Sequence, residues 1–399
     1  MIKSLYIKRK EMKNLMSKLI SILMTIIMFL FPTANIPEAN VDKTQFNTDY
    51  TYVLVHGFAG WGDYNWYNKL LPYWGVRNGD LTKYLGARGF DVHAATVPPT
   101  SSAWDRACEL YAQLTGTVTD YGKAHSKECN HARYGKDYSD SRLISDWSAD
   151  KKVNLVGHSF GGATVRMLAW LMENGSEEEM NSGSDVSELF KGGKGDWVYS
   201  VITLASPHNG TSSYDVQLTL DNDPNATAQE KMIAKVILGI SDKLSDGRVE
   251  SDTAIYEMQI DNAMALNQKV GTVDSVYYFS YACDGTVVGE DGIRRSDDEV
   301  LSGMYKICSD RIVNFTGVTP NGYEIDEKWQ ANDGLVNTYS ALAPIGAPRV
   351  EFDMDNINPG IWNVMPVQRG SHTTLQGGMT DYFNSRLFFV DLFSMIDKL

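Results

Sequence analysis

Cysteine is scarce in this chain of 399 residues. Cys108, Cys129, Cys283 and Cys308 are the only four, too few to staple a chain of this length, so a disulfide framework is excluded as the source of its stability. Cys283 and Cys308 could pair in an oxidising compartment. No CxxC knuckle occurs. Positive charge is also in short supply: 36 Lys and Arg face 50 Asp and Glu, leaving a net charge of −14 and a pI near 5.0. Nothing here would neutralise a phosphate backbone, which argues against a nucleic-acid partner. Internal repeats and low-complexity segments are absent beyond the first 40 residues.

The one apolar run of any length, Leu19 to Phe31, is broken only by Ser21 and Thr25 and ends at Pro32. It follows Lys3, Lys8, Arg9, Lys10, Lys13 and Lys18 and precedes small residues around Ala34 to Ala39. A basic leader, a short apolar centre and a small-residue stretch describe a signal peptide rather than a membrane span. Residues 1–40 are therefore expected to be a leader and the protein to be secreted, with residues 41–399 forming the folded body.

That body alternates short apolar runs with helical spacing. Strands are predicted at Tyr52–Val55, Phe90–Val97, Lys152–Val156, Trp197–Leu204 and Val276–Ala282. Helices are predicted at Gly79–Ala87, Ser102–Leu114 and Ala163–Met172, with mixed helix over Ser212–Gly247. This alternation predicts an α/β fold, a mostly parallel central sheet flanked by helices. From Gly116 to Asp150 the chain is polar and aperiodic, as expected of an excursion with its own purpose.

Gly157-His158-Ser159-Phe160-Gly161 fits GxSxG. The pattern alone is weak, but it falls between a predicted strand and a predicted helix, as a nucleophile elbow requires. Glycines flank the serine because a strained turn leaves no room for neighbouring side chains. A serine hydroxyl needs a base, and the fold runs nucleophile, acid, histidine along the chain. Only His208 and His372 follow Ser159. His208 would have to draw its acid from Asp185 or Asp196, whereas His372 leaves room for later strands to supply one, so His372 is the expected base. Asp333, in Asn332-Asp333-Gly334 after a predicted strand, is the candidate acid, although on the residues alone it is equally an Asp-Gly turn. The backbone N–H groups of Phe58 and Phe160 are the expected oxyanion donors.

The stretches His56–Gly62, Ser102–Glu109, His131–Gly135, Ala169–Gly175, Pro207–Thr211 and Asn332–Asn337 resemble the zinc-containing thermoalkalophilic bacterial lipases and the related staphylococcal lipases. The resemblance covers most of the chain beyond the leader. It implies the α/β-hydrolase fold and a secreted triacylglycerol or carboxylester hydrolase, and it selects Asp333 as the triad acid. It also implies a structural zinc ion held by Asp105, His125, His131 and Asp252, in an insertion spanning about residues 98–150; four protein ligands leave no position for water. Cys129 lies between the two histidines as a competing soft ligand. The family's calcium site beyond the histidine is expected to be absent, because Thr374 and Met379 stand where acidic residues would. The lid region, about residues 207–252, is shorter than in those lipases. A shortened lid implies an open pocket that accepts varied aliphatic esters, bulky or polymeric ones included. Transient contact with a lipid or polymer surface and a monomeric state are expected. Two other readings share these residues: a silent α/β-hydrolase-fold binding protein, and an amidase using the same triad.

Overall fold

In a computed structural model, which describes residues 40–220, 223–224, 226–232, 248–378 and 383–399, the five predicted strands join two unpredicted ones in one parallel sheet. Its seven strands are β1 (Thr51–Val55), β2 (Val92–Ala95), β3 (Val153–His158), β4 (Val198–Leu204), β5 (Tyr277–Tyr281), β6 (Arg349–Glu351) and β7 (Trp362–Val364). They lie in the order β6-β7-β5-β4-β3-β1-β2, every neighbouring pair parallel. All five residues of β1 are buried, as are all six of β3. A strand covered on both faces has no polar side to show, which is why these segments read as continuous apolar runs.

Alternate residues of the central strands supply two cores. Val53, Val55, Leu155 and Val201 face helices α1 (Ala103–Thr115) and α3 (Gly161–Asn174). Tyr52, Leu54, Val156, Ile202 and Phe279 face Trp74, Leu81, Leu85 and the C-terminal helix α4 (Ser385–Ile396). Tyr52 stacks on Phe393 with ring centroids 3.6 Å apart, joining the first strand to the last helix. Helix α1 starts where the Ser102 side chain accepts the Asp105 N–H and ends where Gly116 turns left-handed at φ 66°. These are the expected N-cap and C-terminal glycine signals.

The stretch from Gly116 to Asp150 is more ordered than its composition suggests. It holds an antiparallel ribbon, Val118–Asp120 with Tyr134–Asp137, and helix α2 (Lys123–Glu128). All four residues of the second ribbon strand are exposed, so no apolar alternation marked it. Before Asp333 a short strand, Glu324–Ile325, leads into a 3-10 turn, Glu327–Trp329, capped by the Asp326 side chain. Burial of Trp329 against Ile260 and Met264 anchors it there. The expected leader lies outside the described residues, apart from Asn40. Much of the expected lid and Met379 lie outside them too. Among the described residues no helix is long and apolar enough to cross a membrane.

Candidate active site and metal cluster

Strands β1 and β3 are neighbours, with Val55 opposite Gly157, so the loops leaving their carboxyl ends meet. Beyond β3 the chain turns sharply at Ser159, whose φ is 55°, and enters α3. A side chain at Gly157 would lie 2.4 Å from the Gly161 carbonyl oxygen, and one at Gly161 would lie 2.3 Å from that of Val55. Both contacts are with backbone and neither can yield, which is the physical content of the flanking glycines. Beyond β1, a Cβ on Gly57 would fall 2.7 Å from the Ser159 Cβ. The absence of that side chain lets the Gly57–Phe58 peptide lie against the serine.

The Ser159 Oγ lies 2.9 Å from His372 Nε2, and His372 Nδ1 lies 2.8 Å from Asp333 Oδ2. All three side chains are buried. The Asp333 carboxylate is itself held: its Oδ1 accepts the N–H groups of Leu335 and Val336, and its carbonyl accepts the His372 N–H at 2.8 Å. The expected acid, base and nucleophile therefore form one hydrogen-bonded chain across 213 residues of sequence. His208, the rejected base, sits elsewhere, between Thr203, Arg166 and the Trp362 ring. Burial and the nearby Arg166 hold its imidazole well below the usual range.

Phe58 and Phe160 stand on the two loops that flank Ser159, and among the described residues neither backbone N–H donates to a protein acceptor. Such uncommitted donors beside a serine can receive a developing oxyanion. The Phe58 loop is fastened by a residue that sequence reasoning passed over. Arg106, fully buried, donates to the carbonyls of His56, Pro98 (2.9 Å) and Gly57 (3.5 Å) and to Thr164 Oγ1 (2.7 Å). Burial lowers its guanidinium to about 9. Helical spacing carried no signal for it, since Arg106 lies opposite the apolar face of Trp104, Ala107, Cys108, Tyr111 and Ala112.

The four expected metal ligands also converge. His125 Nε2 lies 3.1 Å from Asp105 Oδ1 and 3.5 Å from Asp252 Oδ1, and His131 Nε2 lies 3.7 and 3.5 Å from the same two carboxylates. A tetrahedral ion bound at ~2.0–2.1 Å would need donor separations of roughly 3.3 Å, close to these. His131 Nδ1 faces the Ala132 carbonyl at 2.8 Å, which leaves Nε2 as the ring nitrogen turned toward the carboxylates. This Nε2 is buried without a hydrogen-bond partner. A buried ring nitrogen without a hydrogen-bond partner, aimed with a second imidazole at two buried carboxylates, is what a cation between them would account for. The donor set thus fits zinc. Cys129 lies on the other side of His125, its Sγ 3.8 Å from Nδ1. It belongs to a looser grouping with His125, His131 and Asp252. Both Nε2 atoms face the carboxylates, which favours Asp105 as the fourth ligand. Arg248 backs the cluster, donating to Asp105, to Asp252 at 3.3 Å and to Ser101.

A family model described as "Lipase-like, C-terminal domain" matches residues 48–223 and 229–386. A lipase of Staphylococcus epidermidis is 29% identical over 369 residues, covering 84% of this chain and 52% of its own. The chain thus spans about half the length of the curated relatives it matches. Among solved structures, EstA from Clostridium botulinum is 30% identical with a TM-score of 0.77 and 93% of each chain covered. Lipase 1 from Pelosinus fermentans is 31% identical with a TM-score of 0.72, covering 88% of this chain and 99% of its own.

Proposed function

Because the chain belongs to the family described as Lipase-like, C-terminal domain, we propose that it is a secreted carboxylic ester hydrolase acting on acylglycerols and other aliphatic esters. The observation that carries this reading is the buried hydrogen-bonded chain Ser159–His372–Asp333. His372 Nε2 takes the Ser159 proton as Oγ attacks the ester carbonyl, and Asp333 holds the imidazole by Nδ1 and stabilises its cationic form. Charge developing on the carbonyl oxygen meets the N–H groups of Phe58 and Phe160, a donor type worth roughly 10²–10³ in rate. His372 then protonates the leaving alcohol, and water releases the acyl group by the same steps in reverse. Asp105, His125, His131 and Asp252 would hold a zinc ion, which supplies cross-linking of three chain segments and no reacting group. The position of Thr374 offers no acidic ligand for calcium.

The test uses purified enzyme and a Ser159→Ala variant, with a soluble short-chain ester and an emulsified long-chain triglyceride. Wild type is expected to hydrolyse the soluble ester faster than the emulsion and to be labelled by a fluorophosphonate, while the variant does neither. Labelling without turnover of any ester would overturn the reading in favour of another acyl-transfer substrate, such as an amide.

A further inference from the structure

A second buried chain of hydrogen bonds runs behind the triad and uses none of its side chains. His158, the residue before the nucleophile, places Nε2 2.8 Å from the carbonyl oxygen of His372. A carbonyl can only accept, so Nε2 carries the proton. Burial, reinforced by the nearby His372, lowers His158 to about 3, so the ring is neutral and Nδ1 is bare. That nitrogen lies 2.7 Å from the Tyr73 hydroxyl, which must donate to it. Burial pushes the Tyr73 phenol up and keeps its proton in place. The Tyr73 oxygen in turn accepts the Gly57 N–H at 3.0 Å. Every donor and acceptor in the series has one consistent direction: Gly57 N–H to Tyr73, Tyr73 O–H to His158, His158 N–H to the His372 carbonyl.

The series joins the three loops on which the proposed reaction depends. Gly57 precedes Phe58, whose N–H is an oxyanion donor; His158 precedes Ser159; and the carbonyl belongs to the base itself. Tyr73 cannot drift, because its ring packs edge-on against Trp61 and Trp74 and its own N–H is held by Asn68. The imidazoles of His158 and His372 lie with centroids 5.0 Å apart. We propose that Tyr73 and His158 are positioning residues, whose relay sets the Gly57–Phe58 peptide and the His372 backbone in register with Ser159. This rests on the hydrolase reading above. The relay touches no substrate, and its work is the sub-ångström placement that transition-state stabilisation demands.

The experiment is a cycle of Tyr73→Phe, His158→Leu and the double variant, with His158→Gln as the conservative rescue, all assayed on a soluble 4-nitrophenyl ester at saturating and limiting concentrations. Each single variant is expected to lower kcat by about 10- to 100-fold, the scale of a misplaced oxyanion donor, with KM changed by less than about threefold. The double variant is expected to be no worse than about threefold below the poorer single one, since either change breaks the same series. A glutamine side-chain amide keeps an N–H for the His372 carbonyl, so His158→Gln is expected to recover about half or more of the logarithmic loss. Fluorophosphonate labelling of Ser159, with thermal unfolding to confirm a folded sample, should slow in parallel with kcat. Losses that multiply in the double variant, or a kcat within about twofold of wild type in either single one, would overturn the relay. If wild type itself neither turns over ester nor takes the label, the hydrolase reading fails instead, so the two failures are told apart.

Discussion

At the scale of single residues, burial decides which groups are useful. Asp397, just past α4, is almost fully buried and accepts the Tyr52 hydroxyl at 2.6 Å. Burial raises its carboxyl to about 6, against which the Tyr52 hydrogen bond is a partial offset. The folded chain therefore holds a proton that the unfolded chain, with a carboxyl near ~3.9, releases. Between those two values stability falls as pH rises, and above the folded value the whole penalty is present. Asp397→Asn keeps an acceptor for Tyr52 and removes the charge. Its stability relative to wild type is expected to improve by on the order of 1 kcal/mol between pH 4 and pH 7.5, measured by denaturant unfolding at both. An equal difference at the two pH values would show that Asp397 ionises as freely folded as unfolded. Residue type alone could not single out this carboxylate among 50 acidic residues, since its partner is 345 positions away.

At the scale of elements, α1 carries two jobs on consecutive residues. Asp105 turns into the candidate metal cluster, while Arg106 turns toward the His56 and Gly57 carbonyls of the loop after β1. The helical rotation of roughly 100° per residue sends the two side chains to different faces, so one rigid helix supports both sites. A lysine cannot reproduce a planar fork reaching Thr164 on one side and three carbonyls on the other. Arg106→Lys is expected to cost about 2–4 kcal/mol in unfolding free energy, because buried carbonyls lose their donors. It should also slow fluorophosphonate labelling by about tenfold or more as the Phe58 N–H loses its fixed place. Unfolding free energy within about 0.5 kcal/mol of wild type, or unaltered labelling, would count against this account. Elements were otherwise the most legible level of the chain. The core strands and α1 and α3 were visible from apolar runs, caps and glycines to within a few residues. The sheet strands β6 and β7 and the Tyr134–Asp137 ribbon strand were not: each is only three or four residues long, and β6 and the ribbon strand are wholly exposed, so no apolar run marks them.

At the scale of the whole molecule, the candidate metal cluster brings together α1, α2 with the loop that follows it, and Asp252. Asp252 also accepts the Ser102 hydroxyl at the start of α1. An ion here would fasten segments far apart in the chain, and its removal would take a doubly charged cation from between two buried carboxylates. The purified protein is expected to carry about one zinc per chain. Stripping it with a chelator should lower stability by about 3–4 kcal/mol, the linkage expected of a ligand held at roughly a thousand times its Kd, with recovery on adding zinc back. Metal analysis showing none, with unfolding indifferent to chelator, would remove zinc from the proposed function without touching the triad.

Sequence alone determined the proposed order of the chemistry along the chain: a serine in a glycine-flanked turn between strand and helix, then a candidate acid, then a histidine. Those are local signals, since steric room for a sharp turn and apolar periodicity are properties of neighbouring residues. For the proposed acid and metal ligands, the residues needed the added weight of a family resemblance, because an Asp-Gly turn or two histidines in a polar loop carry no partner with them. Tertiary structure decided what each polar side chain faces. It directed Arg106 onto backbone carbonyls, brought His158 against both Tyr73 and the carbonyl of His372, and left the Nε2 of His131 without a hydrogen-bond partner. Arg106 finds one partner, Pro98, only 8 residues away, but its others lie 49, 50 and 58 residues off. His158 meets Tyr73 across 85 residues and the His372 carbonyl across 214. Direction and burial of a polar group are set by whatever the fold stacks around it, and no spacing along the chain encodes that.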